Sequence, residues 1–167
     1  MAVSEVRDYP SAPALAAAYR QHRDYAWKRL LEFLGSLPVA VVQQPSPGAA
    51  GKSIADILRH SLGTIEFWMS VLEGRSHEAF PAEEHSDIPS LARLARLVDG
   101  RLQKLLGEAD PEWFGRSHSF RFPDGHEEDL VPAWVVLHVL THEYHHKGQV
   151  VSIARSLGYT PPETDFF

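Results

Sequence analysis

Histidine is the residue type in this chain that gathers where chemistry needs it. Four of the ten histidines, His138, His142, His145 and His146, fall within residues 138–146. Positions four apart on a helix share a face, so His138, His142 and His146 form a row of imidazoles that a divalent ion can bridge. An i, i+4 chelate can use His138 with His142 or His142 with His146, and His145 stands at the flank. On a helical wheel centred on His142, Val131, Val135, Val139, Val150, Ile153 and Leu157 lie within roughly 80° of it, as do His138, His146 and Gln149. The row thus occupies positions that an ordinary helix of a bundle fills with Val or Leu. Burying unpartnered imidazoles there costs about 1–3 kcal/mol per polar group, and a metal satisfies several at once. Three histidine nitrogens with an open position are the catalytic pattern for zinc, which turns a bound water into hydroxide near neutral pH.

Other residues qualify the reading. His142-Glu143-Tyr144-His145-His146 spells H-E-x-x-H, the metalloprotease helix in which the glutamate is the general base. The extended motif needs glycine and histidine where this chain has Gln149 and Ser152, which argues against a protease. Glu143 is kept as a candidate base near a bound water, with a solvated carboxylate on the helix flank as the simpler reading. His60 falls on an apolar stripe of its own helix and is expected to point inward. Asp56, one turn earlier, is a candidate to orient His60 or to coordinate directly, although its spacing from Ser53 marks it first as part of a helix cap. Bundles build metal sites from side chains on facing helices, so His60 and the 138–146 cluster belong to one hypothesis. His22, His77, His85, His118 and His126 are isolated and read as solvated or capping side chains. Trp68, Trp113 and Trp134 read as core before pocket.

The totals bound the rest. With 167 residues, 44% hydrophobic and 23% charged, residues 1–167 are expected to form a single domain with a substantial core. A formal charge of −6 and 16 dispersed Lys and Arg argue against nucleic acid as a partner. There is no apolar run of membrane-spanning length and no secretory leader pattern near Met1, so a cytoplasmic protein without a membrane partner is expected. The chain has no cysteine. Any metal must therefore be held by histidine and carboxylate, and any thiol chemistry needs a thiol from outside.

The elements that must position these residues are helical. Ser11 can cap a first helix on which Leu15, Ala18, Tyr19, His22, Ala26, Leu30 and Phe33 recur, ending at Gly35 and Pro38. Residues 38–52 read as loop by their Pro and Gly content. Ser53 with Asp56 forms a capping box of shorter-carboxylate form for a second helix that runs to about Gly74. A third helix starts at Ile88 and closes over 107–111. Residues 112–129 break the helical period, and Ser119-Phe120-Arg121-Phe122 followed by Pro123-Asp124-Gly125 predicts a short hairpin in a long connection. A fourth helix runs from Val131 to Leu157 and stops at Gly158. The fold class is all-α, a four-helix bundle.

Three stretches carry a family resemblance: Ser53-Ile54-Ala55-Asp56-Ile57-Leu58-Arg59-His60 with Trp68 after it; His142-Glu143-Tyr144-His145-His146-Lys147-Gly148-Gln149; and the ending Leu157-Gly158-Tyr159-Thr160-Pro161-Pro162-Glu163-Thr164-Asp165. Together they resemble the DinB-like (damage-inducible) metalloproteins over nearly the whole chain. Lys147 stands where Arg is common in the family, a mild departure. The resemblance implies an up-down-down-up bundle with a long crossover and a divalent metal, nickel or zinc, on three histidines. Position by position those are His60, His142 and His146, which leaves Asp56, His138, His145 and Gln149 as neighbours that shape the pocket. It also implies a homodimer, and thiol-dependent transferases and isomerases among the relatives. The expected function is metal-dependent chemistry on a small molecule, with a low-molecular-weight thiol as cosubstrate or with hydrolysis as the outcome. The alternative is a non-catalytic, metal-binding, stress-related dimer.

Overall fold

The structure, a computed structural model, describes residues 12–77 and 79–165, with side chains from residue 17 onward. Four long helices dominate: α1 (Ala12–Gly35), α3 (Ile54–Glu73), α4 (Ile88–Glu108) and α6 (Pro132–Ser156). Two short helices, α2 (Val39–Val42) and α5 (Pro111–Gly115), and one antiparallel hairpin, β1 (His118–Arg121) with β2 (Glu127–Leu130), fill the connections. The expected all-α class is observed. The proposed Ser11 cap lies outside the described residues.

Local chemistry explains the boundaries. At the start of α3 the Ser53 hydroxyl accepts from Asp56 N at 3.1 Å, while Ser53 N donates to Asp56 Oδ2 at 3.0 Å. This reciprocal pair satisfies amides that the first turn leaves unpaired. The helix stops at Gly74, whose φ of +63° lets Arg75 N reach Ser70 O at 3.0 Å. Asp87 caps α4 by accepting from Ser90 N at 2.8 Å. Pro132 opens α6, where a missing N–H is harmless, and Gly158 at φ +85° closes it. Gly125, at φ +92°, makes the hairpin turn, and β1 pairs with β2 in the register His118 to Leu130.

α3 packs against both α6 and α4, and α1 packs against α4. Leu30, Leu34, Leu58, Ile65, Met69, Leu91, Leu102, Val139 and Val150 form the core of these contacts. Two charged clusters lie inside it. Glu143 of α6 is fully buried against Arg23 of α1, and Arg23 also pairs with Asp99 of α4. Glu66 of α3, likewise fully buried, pairs with Arg75 and with Arg101 of α4.

The segment read as plain loop, 38–52, holds more order than its composition suggests. Besides α2 it contains a 3-10 turn at Pro47–Ala49. Ala50 and Gly51 follow at φ +52° and +80°, a left-handed pair that redirects the chain into Ser53.

Candidate metal centre

The site is assembled where α3 and α6 meet. α6 presents its core face through Val135, Val139, Glu143, Val150, Ile153 and Ala154. The histidine row is displaced from the middle of that face, with His142 about 60° from Val139 at 100° per residue. His142 and His146 are accordingly half-buried and His138 is exposed, not core-facing as the wheel centred on His142 suggested. His60 is also exposed, which corrects the expectation that it points inward. The centre lies on the rim of the α3–α6 seam.

From that rim the three rings converge. The His60 ring centroid is 5.2 Å from that of His142 and 4.9 Å from that of His146. One nitrogen from each of the three lies within 4.8 Å of the other two. The Nε2 atoms of His142 and His146 are 3.1 Å apart. His146 Nδ1 donates to Gln149 Oε1 at 2.7 Å, because an amide oxygen only accepts, and this leaves the His146 Nε2 lone pair directed at its partners.

A divalent ion fits this donor set. At metal–nitrogen distances of about 2.0–2.1 Å, two tetrahedral ligands are about 3.3 Å apart, close to the His142–His146 spacing. The protonation state fits as well. Desolvation pushes the His142 imidazole down to about 4, with the neighbouring His146 and His60 adding to the shift. His60 and His146 are lowered too, first by desolvation. The rings are therefore held as neutral ligands rather than cations. His142 Nδ1 is buried and has no hydrogen-bond partner among the described residues.

The other candidates divide. Gln149 orients His146. The His138 ring stacks edge-on with Trp68, 5.8 Å away, and lies 5.7 Å from His142, while exposed His145 lies 5.1 Å from His146. Both are neighbours of the three-nitrogen group without belonging to it. Asp56 serves the cap: Ser53 occupies one carboxylate oxygen and Arg59 the other, at 2.7 Å. Hydrogen bonds from Ser53, then Arg59, bring its carboxyl down to about 2.

Glu143 requires a correction. It is neither a base beside a bound water nor a solvated flank carboxylate. It is 0% exposed, accepts from Arg23 Nε and Nη2 at 2.8 and 2.9 Å, and accepts from Tyr19 Oη at 3.0 Å. Its carboxylate neutralises a buried guanidinium.

Sequence reasoning passed over Arg23, Asp99 and Lys52. Tyr19, His22 and Arg23, within two turns of α1, were the available signal, and His22 is not isolated: Tyr144 Oη lies 2.8 Å from its Nδ1. Trp134, read as core before pocket, is 69% exposed.

A protein-family model described as "DinB family" matches residues 15–167. The chain belongs to the DinB family. Among solved structures, this DinB-family chain is similar to a DinB-like protein from Bacillus cereus, at 17% identity and TM-score 0.64, covering 88% of this chain and 95% of that one. It is similar also to a conserved protein from Enterococcus faecalis, at 15% identity and TM-score 0.64, covering 84% and 95%. At these identities the likeness is one of fold. No curated protein matches the chain.

Proposed function

We propose that this DinB-family chain is a metal-dependent enzyme that holds nickel or zinc on His60, His142 and His146 and promotes attack of a low-molecular-weight thiol on a small electrophile. The observation that carries this reading is the position of the triad on the rim, between two recesses. One, of about 500 Å³, is lined by Lys52, Arg59, His60, Phe67, His77 and Phe80 among others. The other, of about 290 Å³, reaches His60, His146 and Gln149. A ligand in these recesses therefore reaches His60 and His146 without the core opening.

An ion at these nitrogens would supply Lewis acidity, lowering the pKa of a thiol or water brought to it. The chain supplies the remainder. Gln149 fixes the His146 tautomer, and burial keeps the rings uncharged at neutral pH. The wall of Phe67, His77 and Phe80 offers apolar surface to a substrate body. With no cysteine in the chain, the nucleophilic sulfur comes from the cosubstrate. In this reading the protein is a cytoplasmic homodimer.

The test is to load the protein with zinc or nickel, measure metal per chain by elemental analysis, and assay thiol transfer and ester hydrolysis. The expected outcome is one ion per chain and turnover, both lost in His142→Ala. Equal rates in wild type and His142→Ala would remove the enzyme reading. The second reading, in which the metal only pins the helices, is favoured by the triad's spanning α3 and α6. It expects metal-dependent stability without turnover.

A further inference from the structure

Lys52 has no assigned role, yet the fold delivers it to the triad with care. Its backbone is fixed on both sides: Lys52 N donates to Ala49 O at 3.0 Å, and Lys52 O accepts from Ser46 N at 3.1 Å. The left-handed pair Ala50 and Gly51 immediately before it sets the direction of approach. Ala50 is the one non-glycine residue with positive φ among the described residues, and an alanine adopts that conformation only against a steric penalty. The result is an exposed lysine that lines both recesses flanking the histidines.

The charge around it is unbalanced. Among the described residues, Asp56 is the sole carboxylate lining the larger recess, and both its oxygens are engaged by Ser53 and Arg59. Among the described residues, the smaller recess has no carboxylate in its lining. Arg59 is paired with Asp56, whereas Lys52 has no ion-pair partner among the described residues, in a chain whose formal charge is −6. One unpaired ammonium can hold one carboxylate through a charge-assisted hydrogen bond.

We propose that Lys52 is a specificity-determining residue that holds a carboxylate of the small-molecule thiol brought to the triad, with Arg59 at the edge of the same subsite. This rests on the metal and thiol reading above and adds to it the charge of the cosubstrate. Phe67 and Phe80 then flank the uncharged part of the ligand in the larger recess.

The experiment uses the cobalt(II)-loaded full chain and two probes, 3-mercaptopropionate and 2-mercaptoethanol, with binding read from the cobalt absorption bands. 3-Mercaptopropionate is expected to bind about tenfold more tightly, since a charge-assisted contact separates the two. The preference should shrink as salt is raised. Lys52→Met should abolish it while leaving 2-mercaptoethanol affinity and thermal stability unchanged, and Lys52→Arg should retain it. A preference that persists in Lys52→Met belongs to chelation by the metal and overturns the proposal. So does equal binding of both probes to wild type, and in both cases the metal and thiol reading stands. If neither probe moves the cobalt bands, that reading falls and the role of Lys52 falls with it.

Discussion

One peptide bond separates His142, whose ring faces His60 and His146, from Glu143, a carboxylate buried against Arg23 and Tyr19. The 100° step of the helix puts neighbours in unlike surroundings, which is why the H-E-x-x-H spelling misleads here. Removing Glu143 leaves a guanidinium in the core with Asp99 as its one remaining carboxylate partner among the described residues. Glu143→Ala is therefore expected to lose about 3 kcal/mol of stability in denaturant titration, with one metal per chain retained. A base at the metal would give the opposite pattern, an intact fold without turnover. The histidines make a second prediction at this scale. The folded-state value of His142, about 4, lies below its ordinary 6.5. The folded state thus disfavours proton uptake, and the metal-free protein should be most stable above about pH 6.5 and lose stability as pH falls toward about 4. Urea midpoints across that range check the sign, and bound metal should move the loss to lower pH. The three clustered histidines were legible through the family resemblance, which chose among pairs that helical spacing alone left open. Glu143 was not, because a buried carboxylate is recognised only with its cation, and Arg23 is 120 positions away in the chain.

At the scale of elements, the starts and stops that depend on local chemistry were readable in advance. The Ser53–Asp56 box, Gly74 and Gly158 act within one turn of where they stand. Ser53→Ala should cost about 1 kcal/mol, measurable as a shifted melting temperature. The order in 38–52 was hidden because Pro and Gly signal turns without saying which ones. Ala50 offers a check on the turn found there. At φ +52° the relief of steric strain in Ala50→Gly opposes the entropy that glycine adds to the unfolded chain. The variant should therefore remain within about 1 kcal/mol of wild type, whereas Ala50→Val should destabilise by more. The exposure of His60 was also out of reach. An apolar stripe 57–71 is wide enough to suggest burial for His60, and only the packing of α3 against both α4 and α6 decides which part of the arc is covered.

For the molecule as a whole, an ion on the triad would link two helices that already share a core. Metal binding should raise the stability of the folded chain by about 2.7 kcal/mol when free ion is a hundredfold above its dissociation constant, seen as a higher melting temperature that His60→Ala, His142→Ala or His146→Ala removes. The all-α class followed from four periodic stretches separated by Gly and Pro, and residues 15–167 match the DinB family accordingly. The placement of the metal centre did not follow, since helical period ranks positions around each axis without fixing how far two axes leave a seam open. That rim position has a kinetic corollary. An ion sealed in a bundle interior leaves only when the protein unfolds, so its escape slows with every stabilising osmolyte. Here His60 is exposed, so a chelator would meet a bound ion on the native surface. Exchange should proceed at a rate set by chelator concentration and indifferent to added osmolyte, with the helices folded throughout.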